Sequence, residues 1–196
     1  MQGRDMSRCD GDGDAAVVTA EAAAMPLTVS RPELLCDGSD ADFRALVHDL
    51  LAFSARLQAI RASFGALTGL SGVQYTILIS IAHLARDRGV GVKAVAEHLS
   101  LSGAFVTIET GKLTERGLVC KRPDPEDGRR VRLSVTDKGR RLLADLAPVQ
   151  QEVNDLLFES LGREDFRRLR RLARGLLEGS ARAVALAGYL TGGGAR

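Results

Sequence analysis

The sequence predicts a mainly α-helical fold with one small β-hairpin, and three observations support that prediction. Apolar residues recur at the three- and four-residue spacing of amphipathic helices over most of residues 39–190. Residues 118–122 and 129–135 instead predict two strands on either side of a turn rich in proline, and the second of them alternates polar and apolar side chains. Apolar residues make up 45% of the 196 residues, which is enough to bury the core of one domain.

The N-terminal segment, residues 1–38, differs in composition from the rest of the chain. Residues 1–40 contain three basic and eight acidic side chains, a net charge of −5 that leaves +7 for the remainder. The segment has no aromatic residue to anchor it, and two prolines interrupt it. We therefore predict a disordered acidic extension followed by a basic folded body.

The first two helices follow this extension. Ser39 or Asp40 can cap the first helix, which we expect to end at Gly65. Ser71 can cap a second helix that stops at residues 87–89. Both segments place apolar residues on one face, so both should pack against a core.

Residues 93–117 predict two short helices joined by a tight turn. The first covers Lys93–Leu99, and Ser102 can cap the second, which ends at Gly117. Two short helices with a three-residue turn between them are the signature of a helix-turn-helix. A strand at Leu118–Arg122 and a second at residues 129–135 then form a hairpin, so this lobe is a winged helix-turn-helix.

Two long helices complete the predicted fold. Thr136 can cap the first of them, Asp137 to about Leu161, and the last runs from Arg163 to Leu190. Residues 191–196 read as a flexible tail. Five arginines alternate with leucines at residues 167–174, which favours a dimer face or a solvated surface; added phosphate contacts are the alternative.

The winged motif points to duplex DNA. A helix of this kind reads base edges in the major groove, and a wing can contact the adjacent minor groove. Basic residues cluster on the hairpin, as phosphate binding requires. Arg129 is the candidate for minor-groove insertion, with Asp127 holding it by an ion pair. The predicted DNA-binding residues are Ser102, Gly103, Ala104, Thr107, Ile108, Gly111, Lys112, Arg122, Asp127, Arg129 and Arg130.

Several of these segments resemble one family. The segments are Val95–Ser102, Leu113 with Gly117–Val119, Asp127–Arg130 and Leu133–Thr136. They are similar to the MarR family of bacterial transcription regulators, in the family's helix order over roughly residues 40–190. Glu109 departs from that pattern, which has an apolar residue there. Ile108 and Gly111 replace polar residues, so base preference does not transfer.

The resemblance implies a homodimer in which residues 39–65 and 137–190 form the dimerisation helices and residues 71–136 form the DNA-binding lobe. Each lobe would bind half of an inverted-repeat operator in double-stranded DNA. Most such proteins are repressors, and many release DNA when a small aromatic or phenolic ligand binds between the two regions. The expected partners are therefore palindromic DNA, a second copy of the chain and a small-molecule effector.

A ligand pocket is then expected among the first helix, the second helix and the helix after the wing. An arginine or histidine beside aromatic rings suits an aromatic carboxylate. Each candidate has an alternative, since the histidines and the arginine can lie in the core, on the surface or at an interface, and the phenylalanines in the core. The candidates are His48, Phe53, Arg56, Phe64, Tyr75 and His83.

Other classes of function have less support. The chain has no P-loop, no glycine-rich dinucleotide motif and no nucleophile elbow, so we expect neither an enzyme nor a cofactor. Cys9, Cys36 and Cys120 fit neither a disulfide framework nor a metal site, and they suit a reducing cytosol. Cys36 leaves open a redox-responsive regulator, and a ligand-independent activator is a further alternative. Without a signal peptide or a long apolar run, a cytoplasmic protein is expected.

Overall fold

The structure, a computed structural model, describes residues 25–85 and 88–192. The mainly α-helical fold with a small antiparallel sheet is confirmed. The described chain divides after Ser54 into two compact units. Its main elements are α1 (Ala41–Leu67), α2 (Gly72–Leu84), β1 (Val90–Gly91), α3 (Val92–Leu99), α4 (Gly103–Glu115), β2 (Val119–Pro123), β3 (Val131–Val135), α5 (Asp137–Leu157) and α6 (Arg163–Gly192).

The first unit joins an N-terminal segment to the start of α1. The buried Asp40 carboxylate accepts hydrogen bonds from Thr28 N at 2.7 Å, Thr28 Oγ1 at 2.6 Å and Arg44 Nε at 3.0 Å. These bonds hold the pKa of Asp40 well below its usual range. Pro32–Leu34 form a 3₁₀ turn. Residues 1–24 of the predicted disordered extension lie outside the described residues. Residues 25–38 were also expected to be disordered, but the hydrogen bonds of Thr28 to Asp40 and the 3₁₀ turn give this segment a defined structure.

α1 continues through Gly65, so the expected end of the first helix was wrong. The Cβ of any other residue at position 65 would lie 2.9 Å from the carbonyl oxygen of Leu70. Gly65 therefore permits the close return of the chain and does not break the helix. The chain turns at Gly69, where φ is +66°.

Three predicted helix caps are confirmed. Ser71 Oγ accepts from Gln74 N at 3.2 Å while Ser71 N donates to Gln74 Oε1 at 3.3 Å, which completes a capping box. Ser102 Oγ accepts from Phe105 N at 3.2 Å at the start of α4. Thr136 Oγ1 accepts from the amide of residue 139 at 3.1 Å at the start of α5. α2 ends at Leu84 and not at residues 87–89, of which residue 87 is outside the described residues.

The sheet has the strand order β1-β3-β2, with all neighbours antiparallel. β1 is only two residues long and was not predicted, because so short a strand has no period to detect. β3 begins at Val131 and not at Arg129. The amides of Arg129 and Arg130 donate to Asp127 at 3.1 and 2.8 Å, which keeps both residues in the turn.

The core of the second unit lies between the sheet and helices α2, α3 and α4. Leu133, on the central strand, is fully buried. Fully or almost fully buried side chains from the surrounding elements complete this core: Tyr75, Ile77, Leu78, Ile81, Val95, Val106, Leu113, Leu118 and Val119. Burial of this apolar area is the main term that stabilises the lobe.

The two C-terminal helices differ from their predicted bounds at their ends. α5 ends at Leu157 and not at Leu161. α6 extends to Gly192, so the first two residues of the predicted tail are helical and residues 193–196 lie outside the described residues. Within the described chain, no residue of α6 is buried. No single described helix has the length and apolar character to cross a membrane, although α1 and α2 taken together across the bend between them pass that test.

Candidate nucleic-acid interface

α4 presents one face to the core and the other to solvent, as predicted. Val106, Thr110 and Leu113 are fully buried. The opposite face is exposed at all five predicted positions in the first half of the helix: Ser102, Gly103, Ala104, Thr107 and Ile108. Ile108 is 58% exposed, so a large apolar side chain projects from the solvent face. The same face shows Phe105, 39% exposed, which the sequence analysis did not select.

Glu109 is a buried carboxylate that fixes α4 to α2. It accepts hydrogen bonds from Gln74 Nε2 at 3.0 Å and from Lys112 Nζ at 2.7 Å. The Lys112 ammonium and then the Gln74 amide hold the pKa of Glu109 below its usual range. Lys112, a predicted DNA contact, therefore has its ammonium on Glu109 although half of its side chain is exposed.

Two other predicted contacts on α4 have partners inside the lobe. Thr107 Oγ1 donates to the carbonyl of Gly103 at 2.8 Å, which leaves its lone pairs to accept from a ligand. Gly111 is half-buried, and a Cβ there would lie 3.9 Å from Lys121 Nζ. A side chain at this position would therefore only touch the wing lysine, which lies beside α4.

The wing tip is built around Asp127. Its carboxylate accepts from Arg129 N at 3.1 Å and lies 3.5 Å from Arg129 Nε and 3.2 Å from Arg130 Nε. The expected ion pair between Asp127 and Arg129 is thus confirmed. The Arg129 side chain is 95% exposed, so its pairing in water is weak and its guanidinium is accessible.

Asp124 anchors the other end of the turn and was not singled out from the sequence. Its buried carboxylate accepts from Glu126 N at 2.9 Å and from Arg132 Nε at 2.6 Å. Its own amide donates to the carbonyl of Arg130 at 2.9 Å. The Glu126 amide and the Arg132 guanidinium hold the pKa of Asp124 below its usual range.

α3, α4 and the wing enclose an open groove of about 730 Å³, here called the wing groove. It brings Thr107 together with Arg129 and Arg130, three of the predicted DNA-binding residues. Lys121, from the basic cluster predicted on the hairpin, also lines the groove, and Lys93 adds a basic side chain that the sequence analysis missed. Its lining is Gly91, Val92, Lys93, Ala94, Glu97, Thr107, Lys121, Asp124, Arg129, Arg130, Val131 and Arg132.

Arg122 lies apart from this groove. Successive strand residues point to opposite faces, and its neighbour Lys121 lies beside α4. Arg122 therefore belongs to the outer face of the hairpin, where it stands opposite Arg132 in the ladder. The structure does not bring this predicted DNA contact together with the residues of α4.

A second, smaller cavity of about 90 Å³, here called the helix pocket, lies among α1, α2 and α5. Gln150 Nε2 donates to the Tyr75 hydroxyl at 2.6 Å, and the Phe64 and Tyr75 rings meet edge to face with centroids 5.8 Å apart. Burial raises the pKa of the Tyr75 hydroxyl. The lining is Leu57, Ile60, Arg61, Phe64, Tyr75, Ile79, Gln150 and Asn154.

Only two of the six predicted ligand residues, Phe64 and Tyr75, line the helix pocket. Arg56 is exposed. It lies five residues before Arg61, which does line the helix pocket. His83 is exposed and lies beside His98, with ring centroids 6.1 Å apart. The remaining two candidates, His48 and Phe53, belong to the first unit, where both are exposed.

The cysteines are dispersed in the described chain. Cys36 is exposed, just before α1, and Cys120 is half-buried on β2. Cys9 lies outside the described residues. No disulfide joins the two described cysteines, both of which are free thiols.

The helix-turn-helix and its wing coincide with a family match. The MarR family model matches residues 68–130, from the turn before α2 to the tip of the wing. Over these residues the chain is similar to the MarR family. Within them, the buried Glu109 joins α4 to Gln74 of α2.

Solved structures share this MarR fold. CouR from Rhodococcus jostii RHA1, bound to p-coumaroyl-CoA, is 24% identical with a TM-score of 0.61, over 71% of this chain and 96% of its own. A MarR-family regulator from Rhodococcus sp. RHA1 is 23% identical with a TM-score of 0.59, over 71% and 96%. A mutant of MarR from E. coli complexed with operator DNA is 20% identical with a TM-score of 0.56, over 71% and 99%. No curated protein matches the sequence.

Asp124→Asn should loosen the wing of this lobe without unfolding it. The neutral amide cannot form an ion pair with the Arg132 guanidinium, so backbone amides 124 and 126–131 should exchange faster at pH 7 while α4 stays protected. In the wild type, the lowered pKa means that this stabilisation is present above the ordinary carboxyl range and is lost as the pH falls through the folded pKa. Hydrogen exchange followed by NMR measures both effects.

Glu126→Gln is the matched control. Its carboxylate is 76% exposed and lies 3.7 Å from Arg88, a pairing that contributes little in water. The control should exchange like the wild type. Equal exchange rates in the wild type and in Asp124→Asn would show that the buried carboxylate does not hold the turn.

Proposed function

We propose that the chain is a homodimeric transcription regulator, a repressor that binds an inverted-repeat operator through α4 and the wing and is released by a small aromatic acid. The observation that carries the proposal is the wing groove. There, the exposed face of α4 adjoins a wing tip whose arginines are positioned by Asp127. The MarR match over residues 68–130 supports the same assignment.

The chemistry of the groove suits duplex DNA. The exposed apolar side chain of Ile108 and the methyl group of Ala104 can contact thymine methyls in the major groove. Lys93 and Lys121 supply positive charge for the phosphates at the base of the wing. The Arg129 side chain is 95% exposed and can enter the minor groove.

Arg129→Ala should weaken binding to an operator, selected from a random duplex library, by about 1–3 kcal/mol if Arg129 makes a groove contact. The reason is the loss of an accessible guanidinium that Asp127 positions. Fluorescence anisotropy with a labelled duplex, repeated at several salt concentrations, measures the affinity and its salt dependence.

Arg141→Ala is the control, because it removes the same charge from an exposed position on α5 outside the wing groove. It should keep most of the affinity. Unchanged binding in Arg129→Ala would remove that residue from the interface. A flat salt response in the wild type would contradict duplex binding altogether, since phosphate neutralisation releases counterions.

Self-association accounts for the apolar surface of α6. Leu169, Leu172 and Leu176 recur at helical spacing and are 43%, 56% and 61% exposed. A contiguous apolar stripe of this kind marks an interaction surface. In the first unit, Leu46 and Leu50 of α1 are likewise 54% and 46% exposed. We infer that a second copy of the chain covers these residues.

Leu172→Arg should convert the dimer into a monomer, because it places an uncompensated charge inside the inferred interface. Light scattering after size exclusion should give twice the 20.9 kDa chain mass for the wild type and the single mass for the variant. Glu178→Arg, a charge change on the other side of α6, should stay dimeric. A monomeric wild type would overturn the dimer.

The helix pocket is the proposed effector site. Its rings and the half-buried Arg61 suit an aromatic carboxylate, since a guanidinium binds a carboxylate with two parallel hydrogen bonds. Its volume of about 90 Å³ is below that of usual ligand sites. Binding would therefore require the wall closed by Gln150 and Tyr75 to open, which couples the ligand to the packing of α5 on α2.

Arg61→Gln should weaken the binding of aromatic acids about tenfold, because it removes a charged hydrogen-bond donor. The probes are benzoate, 4-hydroxybenzoate and p-coumarate, measured by calorimetry and by release of the selected duplex. Arg56→Gln is the control, because Arg56 lies five residues earlier on α1 and outside the helix pocket. Equal losses in both variants, or no release of DNA by any probe, would contradict this effector site.

A further inference from the structure

The outer face of the wing hairpin forms one wall of a cavity of about 550 Å³. The cavity lies between the hairpin, the end of α2 and the first turn of α5. It shares Arg132 with the wing groove and no residue with the helix pocket. Its volume falls within the usual range for small-molecule sites. Four arginines line it: Arg88, Arg122, Arg132 and Arg140.

Among the described residues, positive charge exceeds negative charge at this cavity. Three of the arginines pair with the carboxylates of Asp124, Glu126 and Asp137. The guanidinium of Arg122 has no ion-pair or hydrogen-bond partner among residues 25–85 and 88–192, although its backbone pairs in the β2–β3 ladder. It also faces Arg132 directly across the ladder, and like charges at such a position destabilise a strand pair. An anion between the two strands would relieve that repulsion.

The charge balance favours a dianion over a monoanion. Arg122 supplies one free guanidinium. Arg88 can supply a second guanidinium, because its ion pair with Glu126 is weak in water. That pair spans 3.7 Å between side chains that are 84% and 76% exposed. The pair of Arg132 with the buried Asp124 spans 2.6 Å and keeps Arg132 in place. Two available guanidiniums match the charge of a phosphate monoester and its fork geometry.

Small apolar side chains complete the cavity. Ala82 of α2 and Ala85, just after α2, line it together with Pro123 and Pro125 from the wing. We propose that the cavity binds a small organic phosphate, with its phosphate on Arg122 and Arg88 and its apolar part against these alanines and prolines. The site uses none of the residues assigned to the wing groove's tip or to the helix pocket, so it does not depend on the proposed operator or effector.

Calorimetry on the full-length protein in a phosphate-free buffer tests the proposal. The probes are phenyl phosphate, inorganic phosphate and benzoate. Phenyl phosphate should bind more tightly than the other two, because only phenyl phosphate has both the dianion and the ring. Arg122→Gln should weaken phenyl phosphate about tenfold or more, as expected for the loss of charged hydrogen bonds. Arg122 is exposed, so the variant should keep the wild-type fold by circular dichroism.

Arg141→Gln is the matched control, since it removes one charge from the same helix as Arg140 without lining the cavity. It should leave phenyl phosphate binding within about twofold of the wild type, as for an exposed charge. Equal affinities in Arg122→Gln and wild type would overturn the site.

Duplex DNA is the competing occupant. If the selected duplex displaces phenyl phosphate, and Arg122→Gln weakens both ligands by the same factor, then Arg122 serves the DNA backbone and the proposal is wrong. Arg129→Ala separates this result from failure of the proposed function, because it should weaken DNA binding while phenyl phosphate binding stays unchanged.

Discussion

The buried carboxylate of Asp124 is the contact on which the wing depends. It joins the Glu126 amide in the turn to the Arg132 guanidinium on the central strand. A carboxylate in this position is stable only because both of its neighbours donate to it. With the turn closed in this way, Asp127 can position Arg129 and Arg130 at the tip, and the wing groove takes its shape against α4.

The hairpin separates two kinds of anion chemistry. Its tip carries accessible arginines beside the exposed face of α4, an arrangement that suits a duplex. Its outer face carries Arg122 at a cavity with apolar walls, an arrangement that suits a small ligand. Strand geometry produces this division, because successive side chains such as Lys121 and Arg122 point to opposite faces. The cluster of basic residues is therefore not one uniform patch.

The features that depend on local sequence were predictable, and those that depend on distant contacts were not. Caps at Ser71, Ser102 and Thr136 follow from residue type and position, and all three are confirmed. The role of Gly65 depends on a carbonyl five residues later that returns over the helix. The partner of Glu109 is 35 residues away, so its burial was not visible in the pattern of α4.

The same limit applies to the candidate sites. Phe64 and Tyr75 were selected for their rings, but Gln150 on α5 and Arg61 on α1 needed the packing of three helices to be found. The most direct test of duplex binding by α4 and the wing is hydrogen exchange of the full chain with and without the selected duplex. Binding should protect amides 103–112, 124 and 126–131. Protection confined to the arginines of α6 at residues 167–174, with α4 and the wing unchanged, would contradict it.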